Sequence, residues 1–266
     1  MKINMDKKEN VPPEMVQKIT YDRDAQAFAE QSSQLMTWRF IGSKALDKNL
    51  AEFYGRNDIK VLDEGSASGR VVEHLIQNGI PAGNIDGVEI SPEQVKIATA
   101  KNLGAHFKVG DLRKDTLPGN TYDVITRHMV DEHLDNQGLL EVSQNTLNAL
   151  KPGGVLVVVF THPDKITASS GINKEGWFET TFPWKGPNGE VEKGQNYFRP
   201  TEIYVKILKD AGFVIDSVED WKIPPEAEAD AETEADAEKK AEKKAEYEKY
   251  KNYGNIRLAV RAHKPG

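Results

Sequence analysis

Short runs of β-branched and apolar residues recur along this chain, each followed by a turn of small or acidic residues and then by apolar residues at helical spacing. The first run covers residues 59–62, after which Val71, Val72, Leu75 and Ile76 share a helix face. Residues 84–90 predict a second strand and 94–103 a helix, then 105–109 a third strand and 122–127 a fourth. A helix over 139–150 and a strand over 155–160 follow. Residues 200–212 read as a capped helix, with strands at 213–218 and 256–262. Runs this continuously apolar suit strands buried on both faces, as in parallel sheets. The pattern therefore predicts an α/β fold with a seven-stranded sheet and helices on both faces.

Three stretches depart from that alternation. Residues 21–50 read as one helix, in which Ala25, Phe28, Ala29, Leu35, Trp38, Ile41 and Leu46 make an apolar stripe. Residues 161–199 hold Trp177, Phe178, Phe182, Trp184, Tyr197 and Phe198 among glycines and a Pro187-Asn188-Gly189 turn, which suggests a substrate-binding insertion. Residues 226–251 are mostly Ala, Glu and Lys, acidic first and basic later. With no apolar stripe beyond Tyr247 and Tyr250, that segment is expected to be solvated, and its removal harmless. The domain plan is thus an N-terminal arm and helical lid over 1–50, and a single α/β domain over 51–266.

Charge and cysteine usage narrow the chemistry. Ten acidic and five basic residues lie between 226 and 250, so that segment carries −5 of the formal net charge of −7. The rest is nearly balanced and shows no basic footprint for nucleic acid, which favours a small-molecule partner. Without cysteine there is no disulfide, thiolate zinc site or cysteine nucleophile. The longest apolar run, 154–160, is too short to span a bilayer, and a soluble, cytoplasmic protein with no membrane partner is expected. Nothing in the sequence speaks to oligomeric state.

The chemistry-bearing stretch is Lys60-Val61-Leu62-Asp63-Glu64-Gly65-Ser66-Ala67-Ser68-Gly69-Arg70. A strand that breaks into small residues and then a helix lets the backbone approach a ligand beside unpaired helical N–H groups. The three-glycine dinucleotide fingerprint is not met, because Ala67 fills the middle place. The turn resembles motif I of the class I S-adenosylmethionine (SAM) methyltransferases, an acidic residue and then glycine-x-glycine-x-glycine. Asp63, Gly65, Ala67 and Gly69 lie on those places; Ala67 is the departure, and it is expected to keep a negative φ.

About 20 residues on, Glu89 closes the second strand, before Ile90, where a carboxylate can accept from both ribose hydroxyls. That place is acidic in NAD enzymes too. Gly110-Asp111-Leu112 closes the third strand and resembles the motif that meets the adenine. Leu150-Lys151-Pro152-Gly153-Gly154 is similar to the turn before strand five in the same superfamily. The resemblance implies a Rossmann-like, mostly parallel sheet with an antiparallel last strand, and SAM as cofactor. It assigns Asp63, Gly65, Ser66, Ala67, Gly69, Glu89, Ile90, Gly110, Asp111, Leu112 and Arg127 to that cofactor, with Tyr21 and Arg39 reaching it from the lid.

Methyl transfer to a hydroxyl needs a base, whereas an unprotonated amine does not. His128, directly off strand four, and His162, after strand five, are the candidate catalytic residues; Asp131, Glu132 and His133 share the loop. Met129 stands where a metal-binding glutamate would be expected in ubiquinone-pathway O-methyltransferases, and no metal is expected. The expected activity is methylation of an O or N atom of a small molecule. The alternatives are an NAD(P)-dependent oxidoreductase and a silent SAM-fold binding protein that docks through the charged segment.

Overall fold

The computed structural model describes residues 12–186 and 189–266. The start of the expected N-terminal arm and Pro187-Asn188 of the expected turn lie outside the described residues. Strand β1 (Val61–Glu64) pairs in parallel with β2 (Ile85–Glu89) on one side and β4 (Tyr122–His128) on the other. Outward from these lie β3 (His106–Val109) beside β2, and β5 (Leu150–Thr161) beside β4. A hairpin of β6 (Gly176–Lys185) and β7 (Val191–Phe198) stands apart as a two-stranded sheet. Beyond β5 come β9 (Asn255–His263), antiparallel, and β8 (Val214–Lys222), completing the order β3-β2-β1-β4-β5-β9-β8. Strand order reverses between β1 and β4, and open α/β sheets bind ligands at that crevice.

Alternation along β5 shows how the sequence makes two layers. Leu156, Val158 and Phe160 join Leu62 and Ile125 in one core, where they meet Leu139 and Tyr204. Val155, Val157 and Val159 join Val61 and Val124 in the other, with Leu46, Val72 and Leu75. Helices α6 (Asn136–Ala149) and α8 (Thr201–Asp210) serve the first face; α3 (Ser43–Leu50) and α4 (Arg70–Gln77) serve the second. Local signals set the ends: Ser91 Oγ accepts from the Gln94 N–H to cap α5 (Pro92–Ala100), and Asp135 accepts from Gly138 to cap α6.

The expected single helix over 21–50 is divided. It begins earlier, as α1 (Pro13–Arg23), continues as α2 (Ala25–Gln31), and resumes as a π-helical turn, Trp38–Gly42, leading into α3. The polar Ser32-Ser33-Gln34 interrupts the stripe, and the Ser32 carbonyl accepts from Arg70 at 2.7 Å.

A larger correction concerns residues 226–251. They form α9 (Glu226–Glu232) and α10 (Ala237–Tyr253), which follow α7 (Pro163–Ser170) and α8 in chain order and pack on the domain. Ala227 and Tyr247 are buried with Met36, Ile41, Ile223 and Ile256, and Ala231 of α9 is wholly buried too. The stripe escaped notice because it is narrow and built mainly of alanine. Lys240 and Lys244 both pair with Glu232, and Lys243 pairs with Glu234, so lysines that repel along α10 are neutralised across the helix pair.

Candidate active site

A cavity of about 480 Å³ opens over the carboxyl ends of β1, β2, β3 and β4 and runs on to α7, α10 and β9. Its near wall is the turn after β1. Gly65 has φ +72°, and a Cβ there would stand 2.3 Å from Val130 Cγ2, so no side chain fits. Ala67 corrects the expectation of negative φ: it sits at +44°, a left-handed conformation that costs an L-residue about 1–2 kcal/mol. A hydrogen bond helps to hold it there, since its N–H donates to Glu89 Oε2 at 3.1 Å.

Glu89 Oε1 accepts from the Ser91 N–H at 2.9 Å, so the carboxylate is fixed at the cavity wall. Burial pushes its carboxyl above the ordinary range, against the pull of these amides. Ser66, Ile90, Gly110, Asp111 and Leu112 border the same space. Burial pushes Asp111 up, but its hydrogen bonds with Arg113 outweigh this and hold it below the usual range. Gly69 and Asp63 stand behind the wall. Gly69 turns the chain into α4 at φ +87°, and Asp63 accepts from the Thr126 hydroxyl at 2.8 Å. Burial pushes Asp63 up to about 7.

The other wall comes from the N-terminal helices and the hairpin. Tyr21 borders the cavity, edge-on to Phe28 at 5.3 Å, and Phe182 stacks on Trp184 at 4.2 Å beside them. Burial, then the charges of Glu132 and Glu89, push the Tyr21 hydroxyl far above its ordinary value, so it stays a neutral donor.

Three expected site residues are placed elsewhere. Arg39 turns outward to a two-pronged pair with Asp230 of α9, at 2.8 and 2.7 Å. Arg127 is wholly buried in the core, with Nε 2.8 Å from Asp131 Oδ1 and Nη1 3.4 Å from Glu64 Oε2. Its alternation along β4 points it into the layer under α6, where Ser143 and Thr146 also meet it. His162 caps α7, accepting from the Asp164 N–H at 3.0 Å, and its Nε2 lies 3.0 Å from Asp220 Oδ1.

His128 does border the cavity, but not as an available base. Its Nδ1 lies 3.3 Å from Nη2 of Arg70, which can only donate, so that lone pair is engaged and the ring hydrogen belongs on Nε2. Burial first, then Arg70 and Arg257, push its pKa well below the ordinary histidine value. Two neighbours are better placed. Glu132 is 2 % exposed; Oε1 accepts from Thr161 at 3.1 Å, and Oε2 is without a hydrogen-bond partner. His133, also on the wall, lies edge-on to Tyr21 at 5.8 Å.

Sequence reasoning missed Arg70, Lys165 and Arg257, all on the cavity wall. A signal existed for two of them. Arg70 begins α4, where a cation opposes the helix dipole unless an anion is near. It lies 4.3 Å over the Trp38 ring, and burial lowers its pKa to about 10. Arg257 stands between Ile256 and Leu258, both wholly buried in β9. Among the described residues, no three His, Asp or Glu side chains gather to hold a metal ion, and no helix is long and apolar enough to cross a membrane.

A family model for a methyltransferase domain matches residues 37–218. A demethylmenaquinone methyltransferase from Chlorobaculum tepidum is 24% identical over 193 residues, covering 66% of this chain and 73% of that one. Among solved structures, an S-adenosylmethionine-dependent methyltransferase from Mesorhizobium loti matches with a TM-score of 0.57 at 17% identity, over 82% of this chain and 97% of that chain. The [4+2]-cyclase SpnF matches with a TM-score of 0.63 at 20% identity, over 96% and 98%. At these identities the structural likenesses speak to fold alone.

Proposed function

The chain belongs to the class I SAM-dependent methyltransferases, and from that premise we propose that it methylates a hydroxyl or amino group of an aromatic small molecule held in the cavity. The observation that carries this reading is the continuity of the cavity, which joins the β1–β3 tips to an aromatic chamber at Glu132. A demethylmenaquinone methyltransferase among the relatives supports an aromatic acceptor. Bound SAM supplies an electrophilic methyl on a sulfonium.

The residues present suit that cofactor. Gly65 and Ala67 would let the backbone approach it, Glu89 would accept from the ribose hydroxyls, and the Leu112 N–H beside Asp111 would meet the adenine. Arg70, at the start of α4 and next to the turn, would take the amino-acid carboxylate. Tyr21, Phe28 and Trp38 exclude water over this end. Most of what the protein adds to an in-line displacement is position. Where the acceptor is a hydroxyl, Glu132 takes its proton through the free Oε2, in place of His128 and His162.

Calorimetric titration with S-adenosylhomocysteine tests the cofactor map. Glu89→Ala should weaken binding by about 1–3 kcal/mol, since a buried acceptor is lost from both the ligand and the Ala67 amide. Unchanged affinity would remove Glu89 from the site, and tighter binding of NAD than of S-adenosylhomocysteine to the wild type would overturn the reading as a whole.

A further inference from the structure

The cavity wall that carries Glu132 also includes Lys165 of α7, Tyr250 and Tyr253 of α10, and Arg257 of β9. Arg257 is 7 % exposed. Its Nη1 donates to Ile256 O at 3.2 Å and to Thr161 Oγ1 at 3.4 Å, while Nε is buried with no partner. No carboxylate among the described residues lies within ion-pairing distance of it, and the Lys165 ammonium has neither a hydrogen bond nor an ion pair among them. Glu132 is the acidic group whose charge reaches both. Lys249 adds a further positive charge to the wall.

Desolvated cations with donors left over are costly, and they persist where a ligand brings the acceptor. Two other buried guanidinium groups are provided for within the chain: Arg127 meets two carboxylates, and Arg199 donates to the Asp131 and Leu134 carbonyls and to Asn136. The amino-acid carboxylate of the cofactor is a poor candidate for Arg257. That strand is three places from β1 in the sheet order, about 14 Å at the usual strand spacing, and Arg70 already stands beside the β1 turn.

We propose, resting on the reading as a small-molecule methyltransferase, that Arg257 and Lys165 bind an anionic group of the acceptor, a carboxylate or a phosphate, attached to an aromatic body. Burial, foremost, lowers the Lys165 ammonium to about 8, and a bound anion would restore its charge. The aromatic body then lies among Tyr250, Tyr253 and Phe178, with its reacting group towards Glu132.

The test is calorimetry on the full chain saturated with S-adenosylhomocysteine, with benzoate against benzamide for the carboxylate arm and phenyl phosphate against phenol for the phosphate arm. At least one anion should bind the wild type about tenfold or more tightly than its uncharged counterpart. Arg257→Met and Lys165→Met should each abolish most of that preference, and Arg257→Lys should keep part of it, with affinity for S-adenosylhomocysteine unchanged in all three. Absence of the preference in the wild type, or its survival in both Met variants, overturns the proposal. So does an equal loss of S-adenosylhomocysteine affinity in Arg257→Met, which would give Arg257 to the cofactor. A wild type that binds the anions through Arg257 but never S-adenosylhomocysteine would sink the cofactor reading and leave the anion site standing.

Discussion

Asp131 and Glu132 are adjacent, both buried, and belong to different worlds. Asp131 faces the core: Oδ1 meets Arg127, Oδ2 accepts from the Tyr204 hydroxyl at 2.5 Å, and its carbonyl accepts from Arg199. Glu132 faces the cavity with one oxygen engaged and the other free, near two cations that it does not touch. Satisfied buried charges fix architecture, whereas buried charges with capacity left over mark a place for something the chain does not supply. The Glu64–Arg127–Asp131 network anchors the loop after β4, and that loop holds Glu132 and His133 at the wall.

The sharpest way to separate the two regions is to remove one charge from each without changing volume much. Glu132→Gln keeps the shape and the Thr161 contact but cannot take a proton. If the acceptor is a hydroxyl, turnover should fall by about 10²–10⁴, with S-adenosylhomocysteine affinity and melting nearly unchanged. Full turnover in the variant would show that no proton is taken there, as for an amine acceptor, and would end the base assignment.

Arg127→Met should do the reverse. It strands Glu64 and Asp131 in the core, and breaking one partner out of such a network costs about 3–5 kcal/mol. Denaturant unfolding should show that loss of stability. A variant as stable as the wild type would mean that the network is dispensable, and that Arg127 belongs with the functional cations after all.

Much of this was legible beforehand. Continuous apolar runs gave the parallel strands, and the glycine turn, Glu89 and Gly110-Asp111 were placed together because each closes a strand whose neighbours follow in order. What could not be read depends on pairing across the fold. Arg127 and Arg257 look alike in sequence, each a cation within a strand that carries buried apolar residues. Arg127 meets Asp131 four residues on and Glu64, 63 residues away in the chain, whereas among the described residues no carboxylate pairs with Arg257. The charged helices misled for another reason: Ala227 and Ala231 count as filler in a pattern, yet both are wholly buried, and Ala227 packs with Met36 and Ile41.

The smallest effect tests the comparison most directly, because it predicts an opposite sign for two buried arginines. Replacing a buried charge by a well-packed apolar side chain is neutral or stabilising when no partner is left stranded. Among the described residues no carboxylate pairs directly with Arg257, and Glu132 acts on it only through its charge; Arg257→Met forfeits that attraction and the donation to Thr161 and Ile256, at 3.4 and 3.2 Å. In buffer free of carboxylates and phosphate, Arg257→Met should therefore unfold about 1 kcal/mol later than the wild type, a rise in midpoint of about 2–4 °C for a chain of this size. Adding a bound anion should reverse the order, since the ligand stabilises only the protein that holds it. An earlier melt for Arg257→Met without any anion would make those two hydrogen bonds the reason for the residue. Arg257 would then stand with Arg127 as architecture, and the contrast between the two regions would fail at its weakest point.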